Sequence, residues 1–120
     1  MNYDILNSPD YPRASSCCID SCSLSAALCL KLIQLFPGDP QREQCLADCA
    51  RACLSAVHLL DHGLTLQKSL CELSASLCER AAEQCRPEGA GDLGQMARDA
   101  TRQAAAAFRA LAQWGAFEVA

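Results

Sequence analysis

Ten of the 120 residues are cysteines: Cys17, Cys18, Cys22, Cys29, Cys45, Cys49, Cys53, Cys71, Cys78 and Cys85. Their spacing is helical. On an α-helix a step of four residues turns about 40° past a full turn, and a step of seven falls about 20° short of two. Cys18, Cys22 and Cys29 therefore share one face, Cys45, Cys49 and Cys53 form a slowly drifting stripe, and Cys71, Cys78 and Cys85 keep strict heptad register. Only Cys17 departs, lying about 100° from Cys18. A single buried cysteine is ordinarily a small hydrophobe. Nine on the inward stripes of three helices need another reason, because putting a small group where a bundle places Leu costs about 2–5 kcal/mol in cavity formation. Such a loss is tolerable when the space has an occupant. The occupant expected is soft, compact, cationic and content with two or three thiolates, which describes Cu(I) first and Zn(II) second. Sulfurs that bridge two ions would extend the site along the bundle, with a ceiling of about one ion per cysteine.

Other cysteine chemistries fit less well. Zinc fingers and ribbons place pairs on knuckles or turns that converge on four ligands, whereas these thiols lie within long helical segments. The C-x2-C runs of iron–sulfur proteins and of thioredoxin-type motifs are missing. A helical hairpin stapled through the pairs Cys18/Cys22 and Cys45/Cys49 is a real competitor, but it leaves Cys71, Cys78 and Cys85 unexplained. Thiols enclosed without cations would have to stay protonated, so ion loading should release protons and stabilise the fold.

The elements that position these thiols are readable from helix signals. Ala and Leu supply 38 residues, while Val, Ile and Thr supply seven, which favours helix over strand. Residues 1–14 read as an extended polar leader, followed by one domain over 15–120. Ser15 or Ser16 caps a first helix to about Phe36. Asp39 caps a second, with Pro40 at its first position, running to about His62 before Gly63. Thr65 caps a third to Arg86, and after the break Pro87 to Gly91, Asp92 opens a fourth that ends near Trp114. Four helices of about twenty residues with short links give an all-α, antiparallel up-down-up-down four-helix bundle.

The formal charge of −4 and the lack of a basic stripe argue against a nucleic-acid role. The apolar runs fall short of a membrane span, and the acidic start carries no basic region leading into an apolar one. Clustered thiols without a secretory signal suggest a cytoplasmic compartment where they stay reduced. No Ser-His-Asp set or Gly-rich phosphate loop stands out, and an enzyme is not expected.

These segments resemble the bacterial copper storage proteins, in particular their cytosolic branch. The matching stretches are CCIDSCSLSAALC, CLADCARACLSAVHLLDHG and SLCELSASLCERAAEQC. The resemblance covers about residues 15–114. It implies storage of several Cu(I) ions inside a four-helix bundle, a homotetramer, supply from cellular thiols or a chaperone, and an open bundle end through which copper passes. It also marks a departure. Family members usually carry cysteines on the fourth helix, and often at the positions held here by Ser25, Ala26, Ser74, Ala75, Ala81 and Ala82.

Antiparallel topology sorts the thiols into three expected tiers: Cys18 with Cys53 and Cys71, Cys22 with Cys49 and Cys78, and Cys29 with Cys45 and Cys85. Ala97, Ala100, Ala104, Phe108 and Leu111 should form the sulfur-free wall. Phe108 and Trp114 should plug the Cys18 end, which leaves the opposite end, near Met96, as the entrance. Met96 itself reads as core filling. His58 and His62 lie about 140° and 180° from Cys53 and are expected outside the thiol stripe. Leu24, Leu28, Leu46 and Leu54 are expected to face outward, more apolar surface than a lone bundle needs.

Overall fold

A computed structural model describes residues 10–85 and 91–115. Four helices follow in order, α1 (Asp10–Leu35), α2 (Pro40–Asp61), α3 (Lys68–Gln84) and α4 (Gly91–Gly115). Each packs on its sequence neighbours and α4 closes back on α1, so the helices form a ring in chain order, with the α2–α3 seam the sparsest. This is the antiparallel four-helix bundle expected, elongated to 50 × 24 × 21 Å.

Local chemistry places most of the boundaries. Asp39 is extended and its carboxylate accepts from the Arg42 backbone N–H at 3.1 Å, with Pro40 opening the helix. The end of α2 is a Schellman motif. The Leu64 N–H donates to the Leu59 carbonyl at 3.1 Å and the Gly63 N–H to that of Leu60 at 3.0 Å. Gly63 supplies the left-handed turn, at φ +76°. Replacing Asp39 by Ala should cost about 1 kcal/mol through the lost cap, read as a lower urea midpoint at unchanged slope.

Three boundaries differ from expectation. Helix α1 starts at Asp10, not at Ser15 or Ser16, so residues 10–14 belong to the bundle. Pro12 is tolerated in a first turn, and Tyr11 is held edge-on to Trp114 at a centroid distance of 5.7 Å. Helix α3 begins at Lys68, after a Gln67 N-cap that makes no side-chain cap bond, instead of at Thr65. Leu66 is buried, which anchors the segment before α3 as a strap. The same helix stops at Gln84, so Cys85 caps it and is not a residue within it. Leader residues 1–9 and the break at 86–90 lie outside the described residues.

The core is made of small groups. Ala26, Ala50, Ala75, Ala81, Ala97 and Ala104 are buried beside eight cysteines, and the large buried side chains, such as Leu32, Leu46 and Phe108, sit toward the two ends. By length and composition α1 is apolar enough to cross a bilayer, with a mean hydropathy of 1.5 over its best window, which its short apolar runs did not suggest. In the bundle its apolar face, with Cys18, Cys22, Ala26, Cys29 and Leu32, is buried against the other helices.

Candidate metal centre

Eight thiols form a column inside the bundle. Cys18, Cys22, Cys29, Cys49, Cys53, Cys71, Cys78 and Cys85 are fully buried, and all ten cysteines are free. Cys17 is exposed, as its angular offset implied, and Cys45 is only half-buried. Cys17, the tenth candidate metal ligand, thus stands outside the column, and Cys45, expected on the inward stripe, lies at its edge. The drift of about 40° per four residues explains Cys45: with Cys49 and Cys53 facing in, the first member rotates outward. Leu46 takes the inward place beside it, 1% exposed, against the expectation that it faced outward.

The densest point is Cys49, Cys53 and Cys78, whose sulfurs all lie within 4.8 Å of one another. Cys49 Sγ stands 3.5 Å from Cys78 Sγ, and Cys53 Sγ stands 3.7 Å from it. Cys22 reaches the same group through Cys53, and Cys18 lies 3.7 Å from Cys22. On the other side Cys29 meets Cys49 and Cys85. A metal–thiolate bond of about 2.3 Å sets three sulfurs about 4 Å apart around a trigonal ion, so the triad fits a soft cation with little movement. Facing sulfurs continue on both sides of it, as a chain of ions would need.

The expected tiers are thus shifted. The middle tier of Cys22, Cys49 and Cys78 is present, and Cys53, expected at the end tier, joins it. The far tier is Cys29 with Cys85, and Cys49 takes the contact expected of Cys45. The cause is again rotation of α2, which the spacing alone leaves open.

Protons in this column are arranged unequally. Hydrogen bonds from Cys22, Cys49 and Cys78 hold the Cys53 thiol well below the ordinary thiol range. Cys22 donates to Cys18 and lowers it likewise. The donors are held up in return: Cys22 by its bonds to Cys18 and Cys53 and then by burial, and Cys78 by Cys49, Cys53 and burial. Cys29 is pushed up to about 12, chiefly by Cys49, and Cys85 is raised by Cys29 and by burial. Thiol–thiol hydrogen bonds thus lower the pKa of Cys53 and Cys18 while raising those of the thiols that donate to them.

Three polar residues, Ser25, Ser74 and Thr101, are buried in the bundle, two of them against the thiols. Ser25 Oγ is 2.9 Å from Thr101 Oγ1 and 3.7 Å from Cys49 Sγ, and Thr101 Oγ1 is 3.6 Å from Cys29 Sγ. Thr101 is the residue that sequence reasoning missed. The signal was there, since Thr101 lies four residues after Ala97 and seven before Phe108, on the inward stripe of α4. The expected α4 wall of Ala97, Ala100, Ala104, Phe108 and Leu111 is buried throughout.

The remaining candidates sit outside. His58 and His62 are exposed, their rings tilted by 49° at a centroid distance of 4.4 Å, with His62 Nδ1 2.7 Å from the His58 carbonyl. Met96 is 55% exposed and fills no core, contrary to expectation. No curated protein and no solved structure matches the chain significantly. The copper storage protein family model, however, matches residues 8–113, a span that holds all four helices but for the last two residues of α4 and every cysteine of the column. The chain belongs to the copper storage protein family.

Proposed function

We propose that this chain stores Cu(I) in a reducing, cytosolic compartment, as several ions bound by thiolates along the column, without enzymatic turnover. The observation that carries this reading is the Cys49/Cys53/Cys78 triad, continued on either side by buried sulfurs in a bundle whose core otherwise consists mainly of alanines. Softness selects Cu(I) over Zn(II), because a chain of two- and three-coordinate thiolate sites suits Cu(I), whereas Zn(II) demands four ligands in a tetrahedron. Titration of the fully reduced protein with Cu(I) against a chelator tests it. Several tightly held ions per chain, up to about one per column thiol, are expected. No uptake with all thiols reduced, or tighter Zn(II) than Cu(I) binding, would overturn it, and a low count of free thiols in the cytosolic protein would favour a thiol-redox role.

Proton release distinguishes positions in the column. An ion bound between Cys53 and Cys78 should displace fewer protons, because the Cys53 pKa is lowered while that of Cys78 is raised. An ion bound between Cys29 and Cys85 should displace more, since both are raised. Affinity should thus rise with pH from about 6 to 8, less steeply for the first ions than for later ones. Competition titrations at three pH values check this, and equal slopes for early and late ions would count against it.

The same reading includes a homotetramer. Leu70 and Leu73 stay 39% and 58% exposed along the groove at the α2–α3 seam, and Leu54 on α2 is 49% exposed, apolar surface that a second bundle would cover. Light scattering should give four times the chain mass at micromolar concentration, and a strict monomer would remove this part.

A further inference from the structure

Beyond the thiols, the end of the bundle that holds Cys29 and Cys85 carries two arginines without a full set of partners among the described residues. Arg42, on the first turn of α2, donates from Nε to the Gln84 carbonyl at 3.0 Å. Its Nη2 is shielded from solvent and meets no hydrogen-bond acceptor among the described residues, and the same holds for Nε of Arg98 on α4. Both guanidiniums lie close enough for their charge to act on Cys85. Among the described residues, three carboxylates close to them in sequence hold other donors: Asp39 caps the Arg42 N–H, Glu43 accepts from the Gly38 N–H, and Asp99 accepts from Gln95. A guanidinium nitrogen that has given up water without gaining an acceptor is unfavourable, and this end presents two of them beside the last thiols of the column. Both residues are only half-buried, so their heads sit at the boundary between column and solvent.

We propose that Arg42 and Arg98 form a docking site for an anionic Cu(I) bis-thiolate complex of a small carboxylate-bearing thiol, which they hold at the mouth while copper passes to Cys85 and Cys29. This rests on the storage reading and specifies the form in which copper is delivered. Guanidinium forks match carboxylates in geometry and charge, and unsatisfied nitrogens recessed between helix ends suit a small ligand better than a flat protein surface. Transfer is an exchange of ligands without a redox step. The two Cys–S–Cu bonds form as the two donor–S–Cu bonds break, and the thiol protons of Cys29 and Cys85 leave on the two departing donor thiols, so the copper with its two sulfurs keeps a single negative charge while the donor carboxylates depart with their thiols.

The test compares loading rates of the reduced full chain from two donors, Cu(I)–glutathione, which is anionic, and Cu(I)–acetonitrile, which is not. At low ionic strength the R42Q/R98Q double variant should load from the glutathione complex about tenfold more slowly than wild type. Its rate from acetonitrile and its final capacity should be unchanged. The wild-type glutathione rate should fall between about 10 mM and 0.15 M salt, as the Debye length shortens from about 30 to about 8 Å, while the variant rate stays flat. The R42K/R98K variant, which keeps the charge, should recover much of the rate and guards against a merely unfolded mouth. Equal glutathione rates in wild type and R42Q/R98Q overturn the docking site and leave storage intact. Equal slowing with both donors overturns it too, as damage to the bundle end. No uptake by wild type from either donor removes the storage reading and this site with it.

Discussion

Replacing Cys49, Cys53 and Cys78 together by serine is expected to abolish the tightest copper binding, weakening the first ions by about a thousandfold or more, since a hydroxyl is a poor ligand for a soft ion. Capacity should fall by at least three ions per chain, because the triad joins the Cys18/Cys22 side of the column to the Cys29/Cys85 side. The bundle should survive, at about 1–3 kcal/mol for each hydroxyl left without a partner. The alanine triple variant separates that polar cost from the metal effect, since it loses the ligands but introduces no polar group. C17S and C45S serve as the opposite control. Cys17 is exposed and Cys45 half-buried, so their removal should change the stoichiometry by at most one ion. A triad variant that binds as many ions as wild type, or a C17S/C45S protein that loses most of its capacity, would show that the column is not the store.

The second large effect is thermal. Copper that binds the folded column stabilises it by RT ln(1 + [L]/Kd), about 4 kcal/mol for one site at a thousandfold excess over Kd. For a domain of this size each kcal/mol moves Tm by about 4 °C or more, so loading even the first site should raise Tm by more than about 15 °C. The gain should be large because the cation-free core is weak. Alanines and thiols dominate it, Phe108 being the largest fully buried side chain, and bound ions replace thiol–thiol contacts by metal–sulfur bonds. Calorimetry of the reduced protein with and without one equivalent of Cu(I) measures it. Acidification should reverse the gain, because protons compete for Cys22, Cys29, Cys78 and Cys85, whose folded-state pKa values are raised. An unchanged Tm at full loading would place the copper on surface thiols instead.

The helices and their thiol faces were legible in the residues because local rules govern them. Asp39-Pro40 and Gly63 mark ends whose satisfaction is a matter of a few neighbouring backbone groups. Heptad spacing alone puts Cys71, Cys78 and Cys85 on one side of α3 whatever that side faces, and the four-residue links of α2 require a stripe of sulfur. Small side chains where a bundle normally carries Leu already implied an interior that something else must fill.

What the residues could not settle was rotation about each helix axis and the meeting of distant groups, because neither is a local property. The drift of α2 allowed either Cys45 or Cys53 to point inward with Cys49, and packing against α1 and α3 chose Cys53, with Leu46 filling the place beside Cys45. Tyr11 draws α1 back to Asp10 through a contact with Trp114, which lies more than a hundred residues away. Met96 and Leu46 exchanged the inward and outward places that amphipathic reasoning assigned them, since a wide apolar stripe does not say which edge is covered. Arg42 and Arg98 come together beside Cys85 only because the first turn of α2, the end of α3 and the start of α4 share one end of the bundle. Composition and spacing by themselves determined the helices and a sulfur-lined interior; which sulfurs touch, and what stands at the mouth, was decided by the side-chain packing that sets each helix's rotation.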